Sequence, residues 1–310
     1  MNKNDKIYVA GHKGRVGSML IEKLKKLGYK NLILKTHTEL DLTNQYAVET
    51  FFEKEKPQYA FYCCSSFREG NNKLYKIIYD DLMMQANFIH SAVEYGVKKI
   101  MYVGSGAVYG PQLENPFYEN KSIWSIQQAK EMEPYAVAKI SGLELCKQYD
   151  GVNDCDCISI LPTHIYGSHT SNQDIIGECM IKIAKAKQNQ ETVVQLDIWG
   201  TGKKTIRQFI YIEDLVEYMI YLMNNNNKDL KTINVAYDEE LSWHDIIMMI
   251  KEVVGYEGEV IYLTDKPERG DRRILSLENM KHTEFLAKYS MKKGLKDFYN
   301  NYIFDIIKKG

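Results

Sequence analysis

Ile7-Tyr8-Val9-Ala10-Gly11-His12-Lys13-Gly14-Arg15-Val16-Gly17-Ser18 is the stretch whose reading decides the fold. Four apolar residues run into three glycines spaced G-x-x-G-x-x-G. Behind them Met19, Leu20, Leu24 and Leu27 recur at helical spacing, with lysines on the other face. A strand, a glycine turn and a helix in that order let backbone approach a pyrophosphate at the positive end of the helix. Gly11 permits the tight turn, Gly14 removes a side chain where phosphate must sit, and Gly17 lets the helix press on the strand. A glycine-rich turn without a ligand has the same spacing, which departs from the simplest G-x-G-x-x-G fingerprint.

Working outward, Asn31 to Leu34 is a second short apolar run, so residues 7–34 make a βαβ unit and the sheet is expected to be parallel. At the end of the second strand an acidic residue would bind the ribose hydroxyls of NAD. The chain has Lys35-Thr36-His37 there. Lys35, with Lys13 in the glycine loop, suits a 2′-phosphate and points to NADP(H), although exposed lysines are also ordinary surface charge. Asp41 is placed to reach the adenine region. Further strands are expected at Tyr59–Cys64, Lys98–Val103, Cys157–Leu161, Val193–Ile198, Arg207–Tyr211, Thr232–Ala236 and Val260–Leu263. Helices are expected at Gln45–Lys54, Leu74–Tyr95, Pro134–Tyr149, Asp174–Lys187, Glu213–Met223 and from Trp243. The fold class is α/β: a Rossmann-type doubly wound parallel sheet with a smaller mixed C-terminal lobe. Residues 1–165 form the dinucleotide domain, to which a segment around 204–240 returns, and residues 166–310 mainly bind substrate. The long stretch from Gln112 to Glu133 has the length of a functional loop.

Composition narrows the partners. Forty basic and forty-one acidic residues among 310 leave a formal charge of −1, so no global field points to nucleic acid or an anionic membrane. No apolar stretch approaches a membrane span, and Met1 to Lys6 leads into a strand without an apolar signal core. Six cysteines lack a paired zinc spacing. No metal site is expected, and buried thiols in a reducing cytoplasm are.

Chemistry enters with Tyr135 and Lys139, four apart at a helix start and so on one face. A phenol has an ordinary pKa of about 10, and a nearby ammonium stabilises the phenolate. Ser105, at the end of a strand in the same crevice, can hydrogen-bond a substrate oxygen. Together these groups polarise a carbonyl and donate a proton as hydride arrives from a nicotinamide. Y-x-x-x-K by itself is a weak signal, and the glycine-rich βαβ and the strand ending in Ser105 give it context.

With those pieces in order, the chain resembles the extended short-chain dehydrogenase/reductases that act on sugar nucleotides, and among them the GDP-L-fucose synthase subgroup of 3,5-epimerase/4-reductases. The resemblance rests on VAGHKGRVGS at 9–18, ELDL at 39–42, GVKKIMYVGS at 96–105, EPYAVAKISGLELC at 133–146, LPTHIYG at 161–167 and WGTG…RQFIYIEDL at 199–215. It implies that Ser105, Tyr135 and Lys139 are the reductase triad, with Ser105, Gly106 and Ala107 against the substrate. It implies an NADP site on Gly11, Lys13, Gly14, Arg15, Val16, Gly17, Lys35, Asp41, Leu42, Cys63, Cys64, Ser65, Pro162, His164 and Ile165, with Lys35 where the family usually has arginine. Lys182, Trp199, Arg207 and Arg273 fall on its nucleotide-sugar contacts. Arginines suit a diphosphate, and Trp199 either packs on the guanine or belongs to the core. A homodimer through the helices near 74–95 and 135–149 is implied as well.

The departures bear on the reaction. The subgroup's epimerase acid/base pair is a cysteine two residues after the triad serine and a histidine in the loop after P-T-x-x-Y-G. Here these are Ala107 and Asp174, and His164 and His169 do not fall on the second position. Epimerisation at C3 and C5 needs two proton carriers, and alanine carries none. The expectation is a reductase that leaves C3 and C5 alone, acting on a GDP-4-keto-6-deoxy hexose or heptose, as the GDP-heptose C4-reductases of bacterial surface-polysaccharide pathways do. A bifunctional GDP-L-fucose synthase and a UDP-sugar 4-epimerase are the alternatives. A 4,6-dehydratase would need an Asp-Glu pair where Gly106-Ala107 stands. A non-enzymatic regulator would have no reason to keep Ser105, Tyr135 and Lys139 together.

Overall fold

Strand β1 (Ile7–Ala10) is buried along its whole length and splits its side chains between two cores. Ile7 and Val9 join one apolar cluster, Tyr8 and Ala10 the other. A strand covered on both faces needs helices on both faces. In this computed structural model, which describes residues 1–67, 73–110, 113–120, 132–167, 174–225, 229–268 and 270–309, they are present. Helices α1 (Arg15–Lys26) and α6 (Ile212–Asn224) cover the first face. Helices α2 (Gln45–Glu55), α3 (Leu74–Glu94) and α4 (Glu133–Tyr149) cover the second.

The sheet has six parallel strands in the order β10-β5-β4-β3-β1-β2. Besides β1 they are β2 (Leu32–Ile33), β3 (Tyr59–Tyr62), β4 (Lys99–Val103), β5 (Asp156–Pro162) and β10 (Thr232–Val235). The chain leaves β1 for β2 on one side, then crosses to β3 on the other. The carboxyl ends of β1 and β3 therefore flank a switch point, where doubly wound folds bind ligands.

Three two-stranded sheets build the smaller part. Strand β7 (Val193–Trp199) pairs with β12 (Glu259–Leu263), β8 (Ile206–Arg207) with β11 (Leu241–Ser242), and β6 (Ile165–Tyr166) with β9 (Ile210–Tyr211). Helices α5 (Ile175–Gln188), α7 (Trp243–Val254) and α9 (Met291–Phe298) pack with them, α10 (Phe304–Lys309) packs on α5, and α8 (Glu278–His282) packs on β10 of the main sheet. The single strand expected over Arg207–Tyr211 is two, because the chain changes partner at Gln208-Phe209. The Gln112–Glu133 stretch and His169 lie largely or wholly outside the described residues; the described part includes Phe117, which bridges to Leu275. No described helix is long and apolar enough to cross a membrane. All six cysteines are free thiols.

Candidate active site

The glycine turn closes against the switch point. Gly11 has φ +78°, and a Cβ there would lie 2.6 Å from the Cys63 carbonyl oxygen at the end of β3. A Cβ on Gly17 would come within 2.3 Å of the Gly11 oxygen. The Gly14 N–H donates to that same oxygen at 2.9 Å, and Gly14 begins α1 with no side-chain cap and no acidic residue in the first turn. A helix N-terminus left bare, on a turn where added carbons would collide with backbone, fits a dinucleotide diphosphate.

The base of that turn meets the end of β2. His12 hydrogen-bonds the Lys35 backbone, and burial together with the Lys13 charge lowers its pKa. Lys13 is exposed and Lys35 half-buried. Glu39 was not read from the sequence as a site residue, because it lies six residues beyond the end of β2. Its carboxylate accepts from the Thr36 N–H at 2.7 Å and the Thr36 hydroxyl at 2.6 Å, close to Lys35. Asp41 accepts from the N–H and hydroxyl of Thr43 at 2.9 and 2.8 Å, so one of its oxygens holds the turn into α2. The Leu42 carbonyl accepts from Asn87 at 2.9 Å. Cys63 and Cys64 follow β3, and burial pushes both thiols well up, Cys64 to about 12. The Ser65 hydroxyl donates to buried Asp81 at 2.9 Å, which also receives the Ser66 N–H and so shapes the next loop.

Ser105, Tyr135 and Lys139 converge from two elements, the turn after β4 and the start of α4. Lys139 is 3% exposed, and its ammonium donates to the Val103 carbonyl at 3.0 Å and the Cys64 carbonyl at 3.2 Å. Two of its three N–H groups thus tie α4 to the ends of β3 and β4, leaving one for a ligand. Pro134, at the first turn of α4, starts the helix that sets Tyr135 one turn before Lys139. The Lys139 nitrogen is 5.8 Å from the Tyr135 ring centre. Ser105 caps a short 3₁₀ turn over Gly106–Val108, its hydroxyl oxygen accepting the Ala107 N–H at 3.1 Å. That bond uses one lone pair and leaves the serine O–H available as a donor.

Ser105 and Tyr135 line a cavity of ≈ 310 Å³, with Arg15, Pro162, His164, Ile165, Asp174 and Trp243 among the other walls. Arg15 reaches the Ile165 carbonyl. His164 is held at φ +38°, which few non-glycine residues adopt. Its ring packs on Phe209 and Trp243, and its Nδ1 is 2.7 Å from the Thr163 hydroxyl. Desolvation of the ring against these walls, then the Arg207 and Arg273 charges, lower its pKa, while the residue keeps an exposed face. Asp174 is the N-cap of α5. Its Oδ1 accepts the Gly177 N–H at 2.7 Å, and its carboxyl is raised to about 6 by desolvation, against the pull of that bond and of Arg15.

The four residues expected to hold the nucleotide sugar do not line this cavity. Arg207 is buried, paired to Asp271 at 2.8 Å and bonded to two backbone carbonyls. Arg273 donates to the Tyr109 carbonyl. Lys182 is ion-paired with Asp197. Trp199 is 51% exposed, so of its two readings the core is set aside.

Comparison with known proteins gives the family. The model of the NAD dependent epimerase/dehydratase family matches residues 7–236. GDP-L-fucose synthase 1 of Arabidopsis thaliana is 34% identical over 311 residues, covering 97% of this chain and 94% of its own. A GDP-mannoheptose C4 reductase from Campylobacter jejuni, solved with NADP bound, superposes with a TM-score of 0.87 at 32% identity, covering 98% of this chain and 99% of its own. A GDP-6-OMe-4-keto-L-xylo-heptose reductase from C. jejuni gives 0.86 at 29%, with 98% and 99% covered. By fold, by the match over most of its length and by these relatives, the chain belongs to the NAD dependent epimerase/dehydratase family, as a nucleotide-sugar oxidoreductase using NAD(P).

Proposed function

We propose that this protein reduces the C4 ketone of a GDP-4-keto-6-deoxy sugar with NADPH and leaves the stereochemistry at C3 and C5 unchanged. The observation that carries the reading is Ala107. It stands two residues beyond Ser105, where a methyl group can neither take nor give a proton. His164, the described histidine of the cavity, has a lowered pKa, which makes it a poorer base to stand in for it.

When bound, the dihydronicotinamide supplies the hydride. The Ser105 O–H donates to the ketone oxygen and stabilises the charge that develops there. The Tyr135 O–H, on the same cavity, hands its proton to that oxygen. The Lys139 ammonium, pinned by two strand-end carbonyls, offers its remaining N–H to ribose hydroxyls and its charge to the tyrosine oxygen. Lys13 and Lys35 favour NADP over NAD, with Glu39 turned toward Thr36. The Arg207 and Arg273 guanidiniums and Trp199 recognise the GDP portion. We place the enzyme in the cytoplasm as a homodimer through α3 and α4, in nucleotide-sugar synthesis for surface polysaccharide.

A bifunctional synthase has one observation in its favour: Asp174 is a titratable carboxyl on the cavity. Inversion still requires a second carrier. The test is to incubate the protein with NADPH in deuterium oxide and a panel of GDP-4-keto-6-deoxy hexoses and heptoses, with products read by NMR. A C4 alcohol with protium at C3 and C5 is expected. Deuterium at those carbons refutes the reading.

A further inference from the structure

We propose that Tyr109 is a positioning residue for Ser105: its buried hydroxyl, bonded to Asn234, fixes the turn from which the serine O–H reaches the ketone oxygen. This rests on the C4-reductase reading and adds to it a residue that acts through another.

The turn that carries Ser105 is a weak structure by itself. Gly106–Val108 is a single 3₁₀ turn. Its closing bonds run from the Val108 N–H to the Ser105 carbonyl and from the Tyr109 N–H to the Gly106 carbonyl, at 3.2 and 3.3 Å. Bonds of that length in so short a helix hold poorly. The entry to the turn is anchored to β5, because the Gly104 N–H donates to the Ile160 carbonyl at 2.9 Å. The exit is anchored by Tyr109, which is fully buried. The Tyr109 hydroxyl donates to the Asn234 Oδ1 at 2.8 Å, and its carbonyl accepts from the Arg273 guanidinium. Its ring packs on Phe117, with centres 5.3 Å apart.

The acceptor is itself rigid. Asn234 is fully buried on β10, which pairs with β5 in the main sheet. Its Nδ2 donates to the Phe117 carbonyl at 2.9 Å and to the Ser276 carbonyl at 3.1 Å, and its backbone N–H donates to the Glu119 carboxylate at 2.9 Å. With both amide N–H groups committed, Oδ1 has one orientation, toward Tyr109. A phenylalanine would fill the same space without carrying a hydroxyl into the core, and burying a hydroxyl costs stability unless it is bonded. The bond thus ties the exit of the serine turn to the central sheet. Its worth lies in precision, since a misplacement of about 1 Å at a reacting centre costs up to about 10²-fold in rate. Ser105 is the group that would feel such slack, because it must meet the charge that develops on the ketone oxygen.

Tyr109→Phe keeps the ring and removes the bond. It is made in the wild type and in Ser105→Ala, and all four proteins are followed in single turnovers with NADPH and a GDP-4-keto-6-deoxy sugar. In the wild-type background the rate at saturating sugar is expected to fall about 10- to 100-fold. Half-saturation by the sugar and the NADPH Kd stay within about twofold, since neither ligand loses a contact. Ser105→Ala is itself expected to be about 10²–10³-fold slower, and adding Tyr109→Phe to it should change the rate less than about twofold, because the hydroxyl it positions is gone. Tyr218→Phe is the control for destabilisation alone. That tyrosine is also fully buried, its hydroxyl accepting from Thr283 at 3.2 Å, and the variant should lower the urea midpoint with an unchanged rate. Asn234→Ser breaks the Tyr109 bond from its other end and carries the same expectation, so either variant closes the cycle. An equal fall in both backgrounds, or an unchanged rate in Tyr109→Phe, overturns the inference and leaves the reductase reading intact. Failure of the wild type to reduce any such sugar overturns the reductase reading itself, and this assignment with it.

Discussion

Replacing Gly17 with alanine tests the cofactor turn. The added Cβ would sit 2.3 Å from the Gly11 oxygen, 2.8 Å from the Gly11 carbonyl carbon and 2.9 Å from the His12 Cα. All three are backbone atoms, so no side chain can swing aside. Helix α1 must withdraw from β1 by roughly 1 Å to regain ordinary contact. Overpacking of this kind costs about 1–3 kcal/mol, and loosening the Gly14 N–H bond to the Gly11 oxygen adds about 0.5–1.5 kcal/mol. Alanine in a helix returns about 1 kcal/mol. The net loss is about 1–3 kcal/mol, measured as a lower urea midpoint. The larger effect falls on binding, because the displaced backbone is what approaches the diphosphate. NADPH affinity, followed by fluorescence titration, should fall at least about 10-fold, since charge-assisted hydrogen bonds of about 1.5–3 kcal/mol each are misaligned. Gly28→Ala is the control. It has φ +83° and nothing within 4 Å of its Cβ, so it should cost about 1–2 kcal/mol in stability and leave NADPH binding unchanged. A Gly17→Ala protein with wild-type NADPH affinity and midpoint would refute the reasoning.

Tyr135→Phe should lower turnover by about 10²–10⁴-fold while binding NADPH like the wild type, and full activity would remove the phenol from the proton path. Arg207→Met leaves Asp271 without its guanidinium partner; with the aspartate side chain 34% exposed, the loss should be nearer 2 than 5 kcal/mol, read as a lower urea midpoint. Asp174 gives stability a pH signature. Its carboxyl is raised to about 6 in the folded protein, against about 3.9 in an unfolded chain, so the folded state binds more protons between those values. Its contribution is complete below about pH 4 and is lost as pH rises through about 6, at most about 3 kcal/mol. Subtracting Asp174→Asn urea midpoints from those of the wild type should isolate that slope, and a flat difference would contradict a raised carboxyl.

Much of the site lay open to reading because its signals are local. Backbone that must approach phosphate needs glycine, and a tyrosine and a lysine on one helix face must be four apart, so Gly11, Gly14, Gly17, Tyr135 and Lys139 announce themselves by spacing. The parallel sheet followed from fully apolar strands joined by helices. The C-terminal helices went unread, although Met291, Leu295 and Phe298 are buried at helical spacing on α9. Arg207–Tyr211 read as one strand because an apolar run does not reveal that its two halves pair with different partners.

The chain by itself determined the doubly wound fold and the glycine turn, and singled out Ser105, Tyr135 and Lys139 as candidates, since each signal depends on neighbours a few residues away. Tertiary structure decided what depends on groups far apart in the chain. It fixed the Lys139 ammonium between carbonyls 36 and 75 residues distant, set the His164 ring against Phe209 and Trp243 near two guanidiniums, and left one oxygen of Asp174 without a donor among the described residues. Charge state and hydrogen-bond satisfaction are set by the low-dielectric surroundings a folded chain creates, and residue spacing carries no record of them.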